Sequence, residues 1–203
     1  MQKSGDILFF NLLTGGDDVC LHSNLSISLA AWRGELIYNR LDLHINDGKL
    51  IVDEKKSEKL GMVLDRHILL SIPLERVQQK VEEFIFQNFI NPYNIKLCAL
   101  HGHLQFGAIR KFLDSQNIKE LKTEYFLENE FIDLSSIINY LIEQKKLSPT
   151  FMENPFNALD LTLTNGVEGF ANNLAKTYKH ILNLKKKKNK PNLLEELQLR
   201  IFQ

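Results

Sequence analysis

Three apolar runs separated by turn signals open the chain and set the kind of fold that it can adopt. Residues 7–12 form a short, mainly apolar run between segments rich in glycine and aspartate, which is typical of a buried strand. Residues 25–32 form a second run, and the Arg-Gly pair at 33–34 indicates a turn into a returning strand over residues 35–44. The sequence therefore predicts an antiparallel three-stranded meander.

Helical and strand-like segments alternate after this meander. Residues 74–89 follow Pro73 and place apolar side chains at helical spacing, which indicates an amphipathic helix. The remaining patterns predict a strand at 95–100, a helix at 108–115, a strand or helix start at 131–134 that leads into a helix through 147, and a long helix over 159–184. This order favours an α/β fold with a mixed sheet, in which parallel strands join the meander and helices flank the sheet.

The composition indicates an ordinary globular protein. Apolar residues make up 44% of the chain and charged residues 25%. Cys20 and Cys98 lie far apart and belong to no ligand-like spacing, so we expect two reduced thiols rather than a zinc site or a disulfide. The apolar start, residues 7–10, is too short for a signal peptide or a membrane span. We therefore expect a cytoplasmic protein with no membrane segment.

The charge is balanced overall but unevenly distributed along the chain. The chain has 25 basic and 25 acidic residues, and six basic and two acidic side chains lie in residues 183–203. Residues 1–182 consequently carry 19 basic and 23 acidic side chains, a net charge of −4. A body of this charge lacks the broad basic surface that is usual for nucleic-acid binding, so we expect any such binding to be weak.

Three short segments carry the signals that relate to chemistry. Residues 9–16 read FFNLLTGG, residues 103–107 read HLQFG, and residues 156–161 read FNALDL. Two further segments accompany them, ISLAAW at 27–32 and FIDL at 131–134. Each segment lies beside a predicted strand or helix, and their order along the chain makes coincidence a poor explanation.

Together these segments resemble the motifs of the DnaQ-like (DEDDh) 3′–5′ exonucleases, a family that includes the proofreading epsilon subunit of bacterial DNA polymerase III. The family patterns are F-D-x-E-T-T-G for the first segment, H-N-x-x-F-D for the second and H-N-A-L-D-D for the third. The resemblance covers residues 6–182 and implies an RNase H-like fold.

The resemblance also implies which positions would hold the chemistry. The family uses four acids to bind two divalent cations and a histidine to activate water, as two-metal phosphodiester hydrolysis requires. In this chain the five positions are occupied by Asn11, Leu13, Gly107, Phe156 and Leu161. None of these side chains is a carboxylate or an imidazole. Asp160 survives beside Leu161, but on a helix it would point about 100° away.

We therefore expect a catalytically inactive exonuclease-like domain that serves as a protein-interaction module in DNA replication or repair, with no cofactor. Two alternatives remain open. The first is an active 3′–5′ exonuclease that holds Mg²⁺ or Mn²⁺ through unusual ligands, for which His101 and His103 and the acidic pair at 17–18 are candidates. The second is a domain that binds nucleic-acid ends without cleaving them. Exposed histidines and a solvated acidic turn are the simpler explanation of these candidate ligands.

The last residues contain a candidate docking peptide. Residues 198–202 read QLRIF and resemble the bacterial sliding-clamp-binding peptide Q-L-(S/D)-L-F, with Gln198, Leu199, Ile201 and Phe202 as the expected contacts. An amphipathic end that folds back onto the body is the alternative. The expected organisation is an exonuclease-like domain at 1–182, a basic flexible linker at 183–192 and a docking segment at 193–203, with a sliding clamp or a polymerase subunit as partner.

Overall fold

A computed structural model describes most of the body of the protein. The described residues are 6–18, 21–53, 55, 63–91, 95–114, 131–164 and 168–186. The docking segment predicted at 193–203 and all but the first residues of the predicted linker lie outside them.

The described strands form one six-stranded mixed sheet in the order β4-β3-β2-β1-β5-β6. β2 runs antiparallel to both of its neighbours, whereas β1 with β5, β5 with β6, and β3 with β4 are parallel pairs. The strands are β1 Ile7–Thr14, β2 Asn24–Arg33, β3 Leu36–Asn46, β4 Ile72–Pro73, β5 Lys96–Ala99 and β6 Phe131–Asp133. The predicted α/β class and the three-stranded opening meander are confirmed.

The turn between β2 and β3 explains why the meander closes tightly. Gly34 and Glu35 both have positive φ angles, 58° and 71°. A two-residue hairpin turn with both central residues in this region matches the twist of the flanking strands, and glycine adopts it at no steric cost.

Helices cover both faces of the sheet. They are α1 Leu64–Leu70, α2 Leu74–Asn88, α3 Gly102–Asp114, α4 Leu134–Glu143, α5 Thr150–Glu153 and α6 Phe170–Lys186, with a 3₁₀ turn at Asn157–Leu159. The helix predicted at 74–89 is confirmed, and the segment at 131–134 contains both the end of a strand and the start of a helix. No helix among the described residues is long and apolar enough to span a membrane.

Three predicted helix boundaries need correction. The helix predicted through residue 147 ends at Glu143. The helix predicted over 159–184 begins only at Phe170. Residues 161–164 and 168–169 are not helical, and an isolated bridge joins Thr164 to Glu168. The helix predicted at 108–115 begins earlier, at Gly102. The α1 helix and the short β4 strand were not predicted at all. α6 continues to Lys186, so its last turn includes residues that were assigned to the linker.

The alternation of side chains along β1 divides the core in two. Leu8, Phe10 and Leu12 pack on one face with α2 and α3, whereas Ile7 and Phe9 pack on the other face with α4, α5 and α6. Each face therefore buries an apolar layer, and the central strands are covered on both sides. Asn11 lies opposite Ser28 and shares the α6 side of the sheet with Phe9, whereas Leu13 packs on Leu25 in a separate small cluster.

Candidate functional site

The carboxyl edge of the sheet is the part of the fold where a ligand site is expected. β1, β5 and β6 run parallel, so their carboxyl ends meet at one edge, and open α/β sheets bind ligands in the crevice beyond such ends. β1 pairs with β5 only through residues 7–9, so its second half, residues 10–14, extends past the end of β5. This projecting half contains Asn11 and Leu13.

Gln105 completes the hydrogen bonding of the projecting half of β1. Its side-chain Oε1 accepts a hydrogen bond from the backbone N–H of Leu12 at 2.7 Å, and its Nε2 donates to the carbonyl of Leu12 at 3.2 Å. The amide therefore occupies the place that a residue of β5 would take if that strand were longer. This pair of bonds fixes the first turns of α3 beside the end of β1.

The two β1 positions that the family fills with acids are enclosed by protein. Asn11 is 9% exposed. Leu13 is half-buried and packs against Leu25 and Val52 in a small separate cluster. Neither side chain can act as an anionic metal ligand.

The positions that correspond to the family's histidine and last aspartate lie in the apolar core. Phe156 is 4% exposed, and its ring centroid lies 4.8 Å from that of Phe170 in an edge-on arrangement. Leu161 is half-buried against the same core cluster, and its backbone N–H donates to the carbonyl of Phe156 at 2.9 Å. A phenylalanine in this environment contributes packing and no proton transfer.

The segment that follows Phe156 does not form the α-helix that was predicted for Asp160 and Leu161. The Asn154 side chain accepts hydrogen bonds from the backbone N–H groups of Phe156 and Asn157, which starts a 3₁₀ turn rather than an α-helix. The turn ends at Asp160, which has a left-handed backbone with φ of 53° and an exposed side chain. Asp160 therefore ends a turn and does not lie one step along a helix as predicted.

Gly107, the remaining predicted position, lies on the exposed side of α3. A Cβ atom built on this residue meets no other atom within 4 Å. The alternative histidine ligands are not brought together on one strand, because β5 ends at Ala99 and His103 belongs to α3. His101 lies in the loop between these elements, where its backbone N–H donates to the Ser135 hydroxyl at 2.8 Å.

A polar row that sequence reasoning missed crosses the sheet beside Asn11. In the strand register Asn11 lies opposite Ser28, and Ser28 lies opposite Asp42. The Ser28 hydroxyl donates to Asp42 Oδ1 at 2.6 Å and accepts from the backbone N–H of Ala171 at 2.9 Å, while Asp42 Oδ1 also accepts from the N–H of Gly169 at 3.0 Å. The row therefore caps the amino end of α6, where a negative charge is stabilising.

A second missed cluster contains two buried histidines. His44, on the same face of β3 as Asp42, places its Nδ1 3.1 Å from Nδ1 of His67 and its Nε2 3.3 Å from Oε1 of Glu168. Burial, reinforced by the neighbouring His44, lowers the pKa of His67 below its usual value. The only sequence signal for this cluster was the alternation of polar residues along β3.

The chemistry available at this edge follows from these bonds. Asp42 is engaged by the Ser28 hydroxyl and by the backbone N–H of Gly169, just before α6, and His44 bridges His67 and Glu168. Within the described ranges, no group of three or more histidine, cysteine, aspartate or glutamate side chains is placed to hold a metal ion. The arrangement supports the packing of α6 on the sheet.

Comparisons with known proteins support the fold. No protein-family model matches the sequence, and no curated protein matches it. Among solved structures, cell-death related nuclease 4 (CRN-4) is 11% identical, with 89% of this chain and 64% of that chain covered and a TM-score of 0.66.

Exonuclease I from E. coli is a second structural neighbour. Its complex with a dT13 oligonucleotide is 9% identical over 96% of this chain and 43% of that chain, with a TM-score of 0.73. The complex described as ExoI/SSB-Ct is 7% identical over 90% of this chain and 42% of that chain, with a TM-score of 0.66. This chain thus spans less than two thirds of each of these nucleases. The likeness shows an exonuclease-like, RNase H-like fold, as predicted.

Proposed function

We propose that this chain is a catalytically silent domain of exonuclease-like fold that acts in the cytoplasm as a protein-interaction module in DNA replication or repair. The observation that carries the proposal is the identity of the side chains at the five predicted positions. They are an amide, two leucines, a glycine and a phenylalanine, which supply no carboxylate for a cation and no imidazole for a general base.

The packing of these positions supports the proposal. A charged pocket that loses its function is more stable when apolar side chains fill it, because a buried carboxylate without a partner is costly. Phe156 is almost fully buried, and Leu13 and Leu161 both pack on apolar neighbours. Reintroducing acids at these two leucine positions would therefore oppose the fold.

A nuclease assay tests the loss of cleavage. Full-length protein would be incubated with 5′-labelled single-stranded DNA in Mg²⁺ and, separately, in Mn²⁺, and we expect no shortening above the rate of buffer alone. A contaminating nuclease is recognised by parallel purification of the Asn11→Ala and Asp42→Asn variants. Shortening that persists at high purity and disappears in either variant would overturn the proposal and favour the active exonuclease with unusual ligands.

The second alternative, binding of nucleic-acid ends without cleavage, has its own measurement. Single-stranded DNA with a free 3′ end would be compared with the same strand blocked by a 3′-phosphate, using fluorescence anisotropy. Tighter binding of the free end, reduced by Asn11→Ala, would favour an end binder over a protein-interaction module.

The docking peptide is the proposed route to a protein partner. Gln198, Leu199, Ile201 and Phe202 match the apolar anchors and the orienting amide of a sliding-clamp-binding peptide. We expect the full chain to bind a bacterial sliding clamp in a calorimetric titration, and the chain that ends at residue 197 to show no binding. Leu193→Ala and Leu194→Ala form the matched control, since they alter the same segment outside the motif. Equal binding by the shortened chain would contradict clamp docking and leave a polymerase subunit as the partner to test.

A further inference from the structure

An open groove lies between β3 and α6, away from the candidate site. We call it the β3–α6 groove. Its volume is about 590 Å³, and its main lining residues are Trp32, Ile37, Arg40, Asn172, Lys176 and Lys179. Trp32 lies opposite Ile7, the first residue of β1, so the groove is at the amino end of the strand whose carboxyl end holds the candidate site.

Backbone geometry places three basic side chains in this groove. Lys176 and Lys179 are three residues apart on α6 and therefore neighbours on one side of that helix. Arg40 lies opposite Ala30 in the strand register, on the face of the sheet that α6 covers. The β-bulge between Ala31 and Trp32 shifts the register beyond this point, so that Ile37 joins the same face.

The three cations are not neutralised within the described part of the protein. Arg40, Lys176 and Lys179 take part in no ion pair with a described residue, although residues 1–182 carry four more acidic than basic side chains. The lining contains one acid, Glu35, at the turn that precedes β3. Three like charges around one concave surface repel each other and raise the local concentration of anions.

The lining of the groove also includes a residue with a buried hydrogen-bond donor. Trp32 is 1% exposed and lies among the core rings of Phe9 and Tyr178, yet its Nε1 has no acceptor among the described residues. A buried N–H without a partner costs free energy, so such groups are uncommon unless something supplies the acceptor. Trp32 lines the groove, but its Nε1 is fully buried, so an acceptor that enters the groove reaches this atom only if neighbouring side chains move.

We propose that the β3–α6 groove binds the phosphate group of a ligand. The lining offers a guanidinium, two ammonium groups and the amide of Asn172, a set that is rich in donors and suited to a multiply charged oxyanion. The positions of Asn172 and Lys179 span seven residues of α6, about 10 Å along the helix axis. This length admits a single nucleotide or a short stretch of a phosphodiester chain. The inference is independent of the proposed function, because it involves none of the five predicted catalytic positions.

The test uses the single tryptophan of the full-length chain as a reporter. Trp32 emission would be followed while inorganic phosphate, thymidine monophosphate and a 12-residue oligothymidylate are added separately, with a poly-glutamate peptide of equal charge as a fourth probe. We expect a saturable change with at least one phosphate probe. Saturation by the monophosphate at the same concentration as the oligonucleotide identifies a free nucleotide as the source, and tighter binding of the oligonucleotide identifies a polymer.

Two double variants show whether the groove is responsible. Lys176→Gln with Lys179→Gln removes two of the three cations, whereas Arg76→Gln with Lys80→Gln removes two exposed cations of α2 on the other face of the sheet. We expect the groove variant to weaken binding by about fivefold or more and the α2 variant to leave it unchanged. For the oligonucleotide, the dependence of log affinity on log salt should flatten by about 0.7 for each lysine removed.

Several results would overturn the proposal. These are the absence of any saturable change with the three phosphate probes, equal loss of binding in the two double variants, or binding of the peptide as tight as that of the phosphate probes. Circular dichroism of each variant confirms that the fold is retained, so a lost signal reports the groove and not unfolding.

Discussion

The carboxyl edge of the sheet and the β3–α6 groove lie at opposite ends of the same strands. Their charged side chains differ in whether they have hydrogen-bond or ion-pair partners within the described part of the protein. Along the α6 face of β3, Asp42 is bound by Ser28 and Gly169, and His44 by His67 and Glu168. Arg40, two residues before Asp42 on that strand and face, takes part in no ion pair with a described residue.

This difference separates the charged side chains that stabilise the fold from those that lack an internal partner. Polar groups that are saturated by internal hydrogen bonds contribute to the fold and offer little to a ligand. Charges that lack an internal partner are available for recognition. Asp42 and His44 therefore contribute to the fold, whereas Arg40, Lys176 and Lys179 are the charges on which the proposed binding in the groove depends.

The strongest test of a closed carboxyl edge is the truncation of Phe156. We expect Phe156→Ala to lower the free energy of unfolding by about 3–5 kcal/mol, because the ring is 4% exposed and its removal leaves a cavity beside Phe170. Urea denaturation measures the change. Phe86→Ala is the matched control, since Phe86 is 40% exposed and should cost far less. A loss below about 1 kcal/mol at position 156 would show that the edge is an open crevice.

Removal of the Ser28 hydroxyl tests the internal use of polar groups. We expect Ser28→Ala to cost about 1–3 kcal/mol, since it leaves the N–H of Ala171 without an acceptor and Asp42 with one donor fewer. Ser26→Ala is the control, because Ser26 is also buried on β2 and has no side-chain hydrogen bond with a described residue. Thermal or urea unfolding of both variants gives the comparison. Equal losses would contradict a capping role for Ser28.

The hydrogen bonds that cap the helix starts explain which helix boundaries the sequence could predict. The helix at 74–89 was found because Pro73 and the apolar spacing are local signals. α3 begins where the N–H of Gly102 donates to Asp133, 31 residues away, and the start of α6 is fixed by Asp42 and Ser28 from more than 120 residues away. Partners so distant leave no pattern in the local sequence, so both starts were misplaced.

The candidate site shows the same limit. The period of two along β1 predicts that Asn11 and Leu13 share one face of the sheet. Asn11 lies opposite Ser28 on the α6 face, whereas Leu13, beside the register shift at 13–14, packs on Leu25. The histidine cluster could not be predicted, because His44, His67 and Glu168 come from three separate parts of the chain and belong to no motif. Local periodicity determines which face a side chain occupies, whereas its partners depend on the tertiary fold.

The pH dependence of stability tests whether burial keeps His67 neutral in the histidine cluster. The pKa of His67 is lowered in the folded protein, so the folded state favours neutral His67 relative to the unfolded chain, where the pKa is about 6.5. The contribution of His67 to the free energy of unfolding is therefore complete above pH 6.5. This contribution is lost as the pH falls from 6.5 towards the lowered pKa of the folded state. The slope contributed by this single proton is at most about 1.4 kcal/mol per pH unit.

Urea unfolding between pH 7.5 and pH 5 measures this slope. We expect His67→Asn to flatten it, whatever its effect on absolute stability, and the exposed His101→Asn to leave it unchanged. An unaltered slope in His67→Asn would mean that burial of His67 does not oppose its protonation.

The smallest effect is expected at Gly107, where the candidate site is open. We expect Gly107→Asp to change stability by less than about 0.5 kcal/mol, because the new Cβ meets no atom within 4 Å and the position faces solvent on α3. Gly102→Asp is the contrasting control, since a Cβ there would lie 2.2 Å from the ring of Phe131 and force a rearrangement. A large loss in Gly107→Asp would show that this position is enclosed like Phe156. A neutral result would show that one of the five positions can accept an acid without cost.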